Sequence, residues 1–338
     1  MKIKLIGHTP DQDLKADRSN PWQAFIREFL KNDFEIVTGR VEDNSFDALI
    51  VNSHSPRSLK RAHQLNIKKK NIIMIYWEPS ISYPKIHSAS VRNLYGNIYT
   101  PSFEWKNRLK GEYFFWPQVK IDGDLQTFYS WSKRKNKAVM ILANKFSASI
   151  GQNYALRRNT YVIKDNFGDY LVDLYGENWN RGIKYDLRHY LGQFVRTPIR
   201  KVDLASWYLL GTKQRNYFGQ TKDKAKTASQ YRINLVIENS REYVSEKLFE
   251  AHLSQNIVVY VGASLQSENI NPALAIQCKP KIDDLVTLIN SLNKLPTKIQ
   301  YKIMKDQQQI AKLESKKRFN TSVLRNLASS IAMEIKRR

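Results

Sequence analysis

A single cysteine, Cys278, is all the chain of 338 residues contains, so no intramolecular disulfide can form and a disulfide-stapled extracellular scaffold is excluded. A reducing cytoplasm is the expected compartment. Long apolar runs are absent too: nothing approaches the roughly 18 to 20 residues of a spanning helix. The opening MKIKLIGHTP has too short an apolar run for a signal peptide. The expectation is a soluble protein, or one that sits peripherally at the inner face of a membrane without crossing it. No internal repeat or low-complexity tract is present. The six histidines are scattered and no metal-ligand spacing stands out, Asp283-Asp284 reading instead as the start of a helix over IDDLVTLINSLNKL. Negative charge is scarce: Lys and Arg outnumber Asp and Glu 55 to 31, a net charge of +24. That imbalance predicts an anionic partner, whether nucleic acid, lipid headgroups or a phosphorylated small molecule.

What is there is apolar and aromatic, 42% and 12% of residues, enough to fill two ordinary cores. Short β-branched runs read as buried parallel strands at 3–7, 47–52, 71–77, 137–144, 172–176, 232–239 and 256–262. Amphipathic helix patterns lie between them, as in PWQAFIREFLKN (21–32) and SEKLFEAHLSQ (245–255). Strand and helix alternating in this way predict doubly wound α/β layers. The strands fall into two groups separated by an irregular, aromatic and basic stretch at 111–137. The expected organisation is therefore two Rossmann-like domains facing a cleft, residues 1–125 and 126–310, followed by a basic amphipathic helix over 311–338. Residues 183–226, basic and aromatic without periodicity, read as an insertion. Ligands of such sheets bind at the carboxyl ends of the strands.

One stretch concentrates polar chemistry at such a strand end. In ENSREYVSEKLFEAHLSQNIVVYVG (238–262), an apolar run stops at Glu238-Asn239-Ser240, and Glu246-Lys247 opens the next helix. A glutamate suits a helix start, where unpaired N–H groups carry partial positive charge. A lysine is disfavoured there by several tenths of a kcal/mol, unless an anion sits between the ammonium and the helix end. A nucleotide diphosphate fits that description; so does a solvated Lys247 beside a neighbouring carboxylate. Glu238 and Glu246 also share the E-x7-E spacing of many retaining nucleotide-sugar transferases.

Residues 231–264, YRINLVIENSREYVSEKLFEAHLSQNIVVYVGAS, resemble the signature of the bacterial-type α-1,3-fucosyltransferases. That signature runs roughly Y-K-F-x-L-x-F-E-N-S, a spacer, D-Y-V-T-E-K-L, then an apolar strand and Gly. The resemblance covers about 34 residues directly, with looser similarity from about 72 to 264. Glu242 and Ser245 stand where Asp and Thr are usual, the spacer is short, and the last strand lacks Pro-Val. The resemblance implies an inverting, GDP-fucose-dependent glycosyltransferase of GT-B architecture, acting on a glycan acceptor. It places Lys247 on the donor diphosphate and Glu246, Tyr243 and Asn239 on the ribose or fucose. ANKFSASIGQNYALRRNTY (143–161) is similar to the family's strand-end segment, which includes Asn144, followed by a phosphate-binding arginine. Arg158 matches that arginine best, with Arg157 as the one-residue alternative. Trp77-Glu78-Pro79-Ser80 is similar to the family's Glu-Ser-Pro region, making Glu78 the candidate catalytic base.

These roles are chemically coherent. Departure of a nucleoside diphosphate develops negative charge that preorganised Arg and Lys stabilise, so no cofactor is required and no divalent metal is implied by the ligands. Inversion needs a carboxylate on the opposite face to take the acceptor proton. The rivals are another nucleotide-sugar transferase on the same fold, with Glu238 and Glu246 as a retaining pair, and a nonenzymatic nucleic-acid-binding protein. Nucleic acid leaves the Glu-Asn-Ser and Glu-Lys patterns unexplained. Leu324, Leu327, Ile331 and Ile335 at helical spacing near Arg325, Lys336, Arg337 and Arg338 have two readings, a terminal helix packed on the core or a cationic amphipathic anchor on an anionic membrane face.

Overall fold

A computed structural model describes residues 1–6, 21–37, 40–42, 44–52, 54–77, 88–121, 125, 127–145, 152–160, 163–165, 168–177, 179 and 215–337, without the side chains of 21, 22 and 320. Glu78, Arg338 and most of the insertion expected at 183–226 lie outside the described residues. The chain divides into two compact units, Met1–Val119 with Arg318–Arg338, and Lys120–Lys317.

The first unit is built on a six-stranded parallel sheet in the order β2-β1-β3-β4-β5-β6. Its strands are β1 (Lys2–Ile6), β2 (Glu35–Val37), β3 (Ala48–Val51), β4 (Ile72–Ile75), β5 (Asn97–Thr100) and β6 (Glu112–Tyr113). Among the described residues, the helices between them are α1 (Pro21–Lys31), α2 (Pro56–Gln64), α3 (Ala89–Arg92) and α4 (Phe103–Leu109). A serine hydroxyl caps each of the last three, Ser55, Ser88 and Ser102 accepting from an N–H of the first turn. β3 and β4 are buried at every position, which is why their sequences, ALIV and IIMI, are uniformly apolar: a parallel sheet is covered on both faces.

The second unit carries a five-stranded parallel sheet, β11-β10-β9-β7-β8. Its strands are β7 (Lys135–Ile141), β8 (Val172–Tyr175), β9 (Tyr231–Ile237), β10 (Ile257–Val261) and β11 (Ile276–Gln277). Among the described residues its helices are α5 (Tyr154–Thr160), α6 (Lys224–Ala228), α7 (Glu246–Glu250), α8 (Ile282–Lys294) and α9 (Thr297–Lys317). β9 lies between β7 and β10, with Ile237 level with Val261, so both strands end together. α9 binds the sheet through a polar residue: the Gln307 amide donates to the Val258 carbonyl at 3.2 Å and accepts from the Val258 N–H at 2.8 Å.

The C-terminal segment differs from expectation. Residues 311–338 are not one helix. The end of α9 is followed by a separate helix, α10 (Asn320–Lys336), which belongs to the first unit. Leu324, Leu327, Ile331 and Ile335, the apolar stripe read as either core-packed or lipid-facing, are at most 3% exposed and pack with Phe25, Ile26 and Phe29 of α1. The stripe predicted an apolar neighbour, and the unit's own core supplies it. Glu334 fixes the end of α10 by accepting from Asn97 and, at 2.8 Å, from the Tyr99 hydroxyl of β5. Among the described residues, no helix is long and apolar enough to cross a membrane.

Because α10 completes a core, Leu327→Ala should destabilise the protein by about 2 to 4 kcal/mol, whereas the exposed Arg325→Ala should stay within about 0.5 kcal/mol. Urea unfolding checks both; equal, small effects would contradict the packing.

Candidate functional site

β9 ends in a carboxylate that the strand buries completely: Glu238 is 0% exposed. Its backbone continues the ladder, the N–H donating to the Val261 carbonyl at 2.8 Å. A charge this deep needs donors, and the turn that follows provides them. The Ser245 N–H donates to Glu238 Oε1 at 2.7 Å, and the Ser245 hydroxyl lies 2.8 Å from both carboxylate oxygens. Ser245 is also the N-cap of α7, accepting from the Lys247 N–H. The Lys247 ammonium reaches the Ser245 hydroxyl at 2.9 Å, Glu238 Oε2 at 3.4 Å and Glu246 Oε1 at 3.5 Å. Strand end and helix start are thus tied through one buried carboxylate.

Room for that carboxylate comes from Gly262. A Cβ at this position would stand 2.1 Å from the Tyr260 hydroxyl oxygen and 2.8 Å from Glu238 Cγ. The Gly that follows IVVYV is therefore part of the site, a role the sequence pattern alone did not reveal, although the common ending of β9 and β10 places it beside Glu238.

Of the two sequence readings of Lys247, an external anion or a neighbouring carboxylate, the structure shows the carboxylate. The cation at the helix start does not depend on an external anion, because Glu238 and Glu246 already flank it. Burial works against the charged ammonium, yet the two carboxylates outweigh it and leave the Lys247 pKa above its ordinary value. Burial, followed by Glu238 and Glu246, pushes the Tyr243 phenol well above its usual range, so Tyr243 is a neutral hydrogen-bonding group.

Of the two candidate arginines, Arg157 joins this cluster. Its guanidinium, buried and lying 5.1 Å from the Tyr154 ring centroid, donates to the Ile237 carbonyl and, at 2.7 Å, to Asn239 Oδ1. Burial lowers its pKa, offset in part by Tyr154 and Glu238. The Asn239 amide donates in turn to the Tyr243 hydroxyl at 3.3 Å, and the Asn239 carbonyl accepts from the Asn153 N–H at 2.9 Å. Arg158, equally buried, points elsewhere and donates to the Lys145 carbonyl at 2.9 Å. Asn144 is placed at the end of the β7 strand segment, its N–H donating to the Glu177 carbonyl at 2.9 Å. The structure thus brings together Glu238, Asn239, Tyr243, Glu246, Lys247 and Arg157.

Glu246 and Lys247 form part of the wall of a cavity of about 290 Å³ at the carboxyl ends of β7 and β8 and along β9. Leu142, Gly176, Glu177, Thr221, Lys224 and Glu250 complete much of it. Among the described residues, no group of three or more His, Cys, Asp or Glu side chains is arranged to hold a metal.

No family profile and no curated protein matches this sequence. Solved structures do match in fold. An α1,3-fucosyltransferase superposes with a TM-score of 0.53 at 16% identity, over 91% of this chain and 82% of its own. Anabaena Alr3699/HepE, solved in complex with UDP and glucose, gives 0.57 at 12% identity, over 98% and 100%. An E. coli trehalose-6-phosphate protein bound with UDP-2-fluoro glucose gives 0.53 at 11% identity, over 94% and 79%. The fold is two parallel-sheet α/β domains of the kind found in GT-B glycosyltransferases.

Directly after α7, His252 is fully buried, and burial holds its pKa down at about 3, from an ordinary 6.5. The folded imidazole stays neutral while the unfolded one takes up a proton, so this histidine's contribution is intact above pH 6.5 and is lost as pH falls toward 3. Urea midpoints between pH 7 and 4 should therefore fall more steeply for the natural protein than for His252→Met; parallel curves would show that His252 is not the acid-sensitive group.

Proposed function

We propose that this chain is a glycosyltransferase that moves a sugar from a nucleotide-sugar donor to a glycan hydroxyl. The observation that carries this reading is the polar cluster at the end of β9, with Glu246 and Lys247 at the wall of a cavity large enough to admit part of a nucleotide. Lys247 would hold the donor diphosphate. Its ammonium has one contact to a carboxylate that is 40% exposed, Glu246, and a phosphate oxygen can replace that contact. Glu246 would then turn to donor hydroxyls together with Asn239 and Tyr243. Arg157, whose charge lies behind Asn239, would strengthen the field felt by the leaving diphosphate, while Arg158 would brace the 143–145 segment through Lys145.

As the bond from the anomeric carbon to the diphosphate breaks, negative charge grows on the leaving oxygens. Cations fixed in advance stabilise that charge more than they stabilise the bound donor, which is what lowers the barrier. We assign the base that deprotonates the acceptor to Glu78, on the resemblance of residues 77–80 and its place just past β4. Attack opposite the leaving group then inverts the anomeric centre.

GDP-fucose is the donor favoured by residues 231–264 and by the likeness in fold to an α1,3-fucosyltransferase, which has also been solved with GDP. An α-1,3 linkage to a galactosyl or N-acetylglucosaminyl oligosaccharide follows from the same resemblance. A UDP-sugar is the second reading, supported by the likeness to HepE along 98% of the chain. A retaining mechanism through Glu238 and Glu246 is disfavoured, since Glu238 is fully buried and bonded to Ser245 and Lys247.

Transfer from GDP-fucose and UDP-glucose to a mixed oligosaccharide panel, read by mass spectrometry, tests the activity. Lys247→Ala should weaken GDP binding by about tenfold or more. Glu78→Gln should cut turnover by about 10² to 10⁴ while GDP affinity stays the same. Unchanged GDP affinity in the first variant, or near-normal turnover in the second, would remove that residue from its role.

A further inference from the structure

Three carboxylates line the cavity beside β9, and two of them have a cation of their own. Glu246 stands 3.5 Å from the Lys247 ammonium, and Glu250 lies 3.2 Å from that of Lys224. The Glu177 side chain pairs with no group among the described residues.

Its backbone, by contrast, is fixed on every side. The Glu177 carbonyl accepts from the Asn144 N–H at 2.9 Å. Gly176 donates to the Gly219 carbonyl at 2.9 Å and accepts from the Tyr217 hydroxyl at 2.9 Å. Gly176 itself has φ +133°, and a Cβ there would come within 2.1 Å of the Leu142 carbonyl oxygen. Only glycine lets the end of β8 press this closely on the end of β7. The turn is therefore built to hold residue 177 at the cavity wall, and it presents there an acceptor with two oxygens and, among the described residues, no donor of its own.

The ligand chemistry that fits is a pair of adjacent N–H donors. Guanine offers one, N1–H beside the exocyclic N2 amino group, which a carboxylate accepts as two parallel, charge-assisted bonds. Uracil offers a single N3–H between two carbonyl oxygens, both of which a carboxylate repels. Hypoxanthine keeps N1–H and lacks the amino group. Resting on the nucleotide-sugar reading above, we propose that Glu177 reads the base of the donor and selects guanine over uracil, while the diphosphate lies at Lys247. The same cavity wall then carries both recognition elements, an acceptor for the base and a cation for the phosphates. Because Glu177 is exposed at the cavity mouth, the discrimination is moderate, about tenfold for the pair of bonds.

Calorimetry on the full chain with GDP, IDP and UDP tests this, using Glu177→Gln and Glu177→Ala, whose unchanged melting temperatures would confirm folding. The expected order for the natural protein is GDP tightest, then IDP, then UDP. Both variants should lose about tenfold in GDP affinity and bind UDP as well as the natural protein does or better. Equal losses for GDP and UDP would assign Glu177 to the ribose or phosphates and overturn base reading, as would unchanged GDP affinity. UDP binding more tightly than GDP to the natural protein would also overturn it, while leaving the transferase reading in place. Binding of none of the three would remove both.

Discussion

A carboxylate buried at the end of a central strand is the constraint from which the site follows. Glu238 has left water entirely, and an ionised group in that position is tolerated only with hydrogen-bond donors and a countercharge close by. Ser245 provides the donors through its backbone and hydroxyl, and Lys247 provides the charge. Those requirements fix where the 239–245 turn returns and where α7 begins. They also explain why a lysine occupies a helix start, since its local dipole penalty is small against the need of a buried carboxylate for a cation.

The same arrangement preorganises a binding surface. Asn239 is oriented by Arg157 from one side and Tyr243 from the other, so its amide cannot rotate freely. Lys247 is held in place without being fully enclosed, 22% exposed at a cavity wall. A group positioned before the ligand arrives loses little entropy on binding, and charges fixed in advance are the ones that act on a transition state. The rigidity that folding demands at Glu238 is thus available to chemistry at Lys247. On the proposed reading, opposing demands would meet at Glu246, which pairs with the ammonium here and would release it to a phosphate.

Much of the fold was legible because parallel strands covered on both faces are apolar without interruption. IIMI in β4 and IVVYV in β10 can hardly be anything else. β2, β5, β6 and β11 escaped notice: EIV, NIYT, EY and IQ are too short to carry a period, and their strand character comes from the neighbours they pair with. The spacing in α10 marked an apolar face, yet amphipathicity does not say what covers it, and lipid and protein core have the same signature. At the site, the Glu-Asn-Ser and Glu-Lys pairs were visible as strand-end and helix-start chemistry. That Arg157 and not Arg158 bonds Asn239 was not, since adjacent residues on a helix point about 100° apart and only the path of β9 decides which one meets it. Gly262 stood in the signature without its reason, and Glu177 was silent, because what each does depends on what packs beside it in space.

The central claim is that a nucleoside diphosphate lies in the second unit with its phosphates against Lys247. The structure of the protein crystallised with GDP is the most direct measurement of it. A phosphate oxygen within hydrogen-bonding distance of the Lys247 ammonium, with Glu246 turned away from it, is the predicted result. A nucleotide bound elsewhere, with the Lys247–Glu246 contact intact, would contradict it.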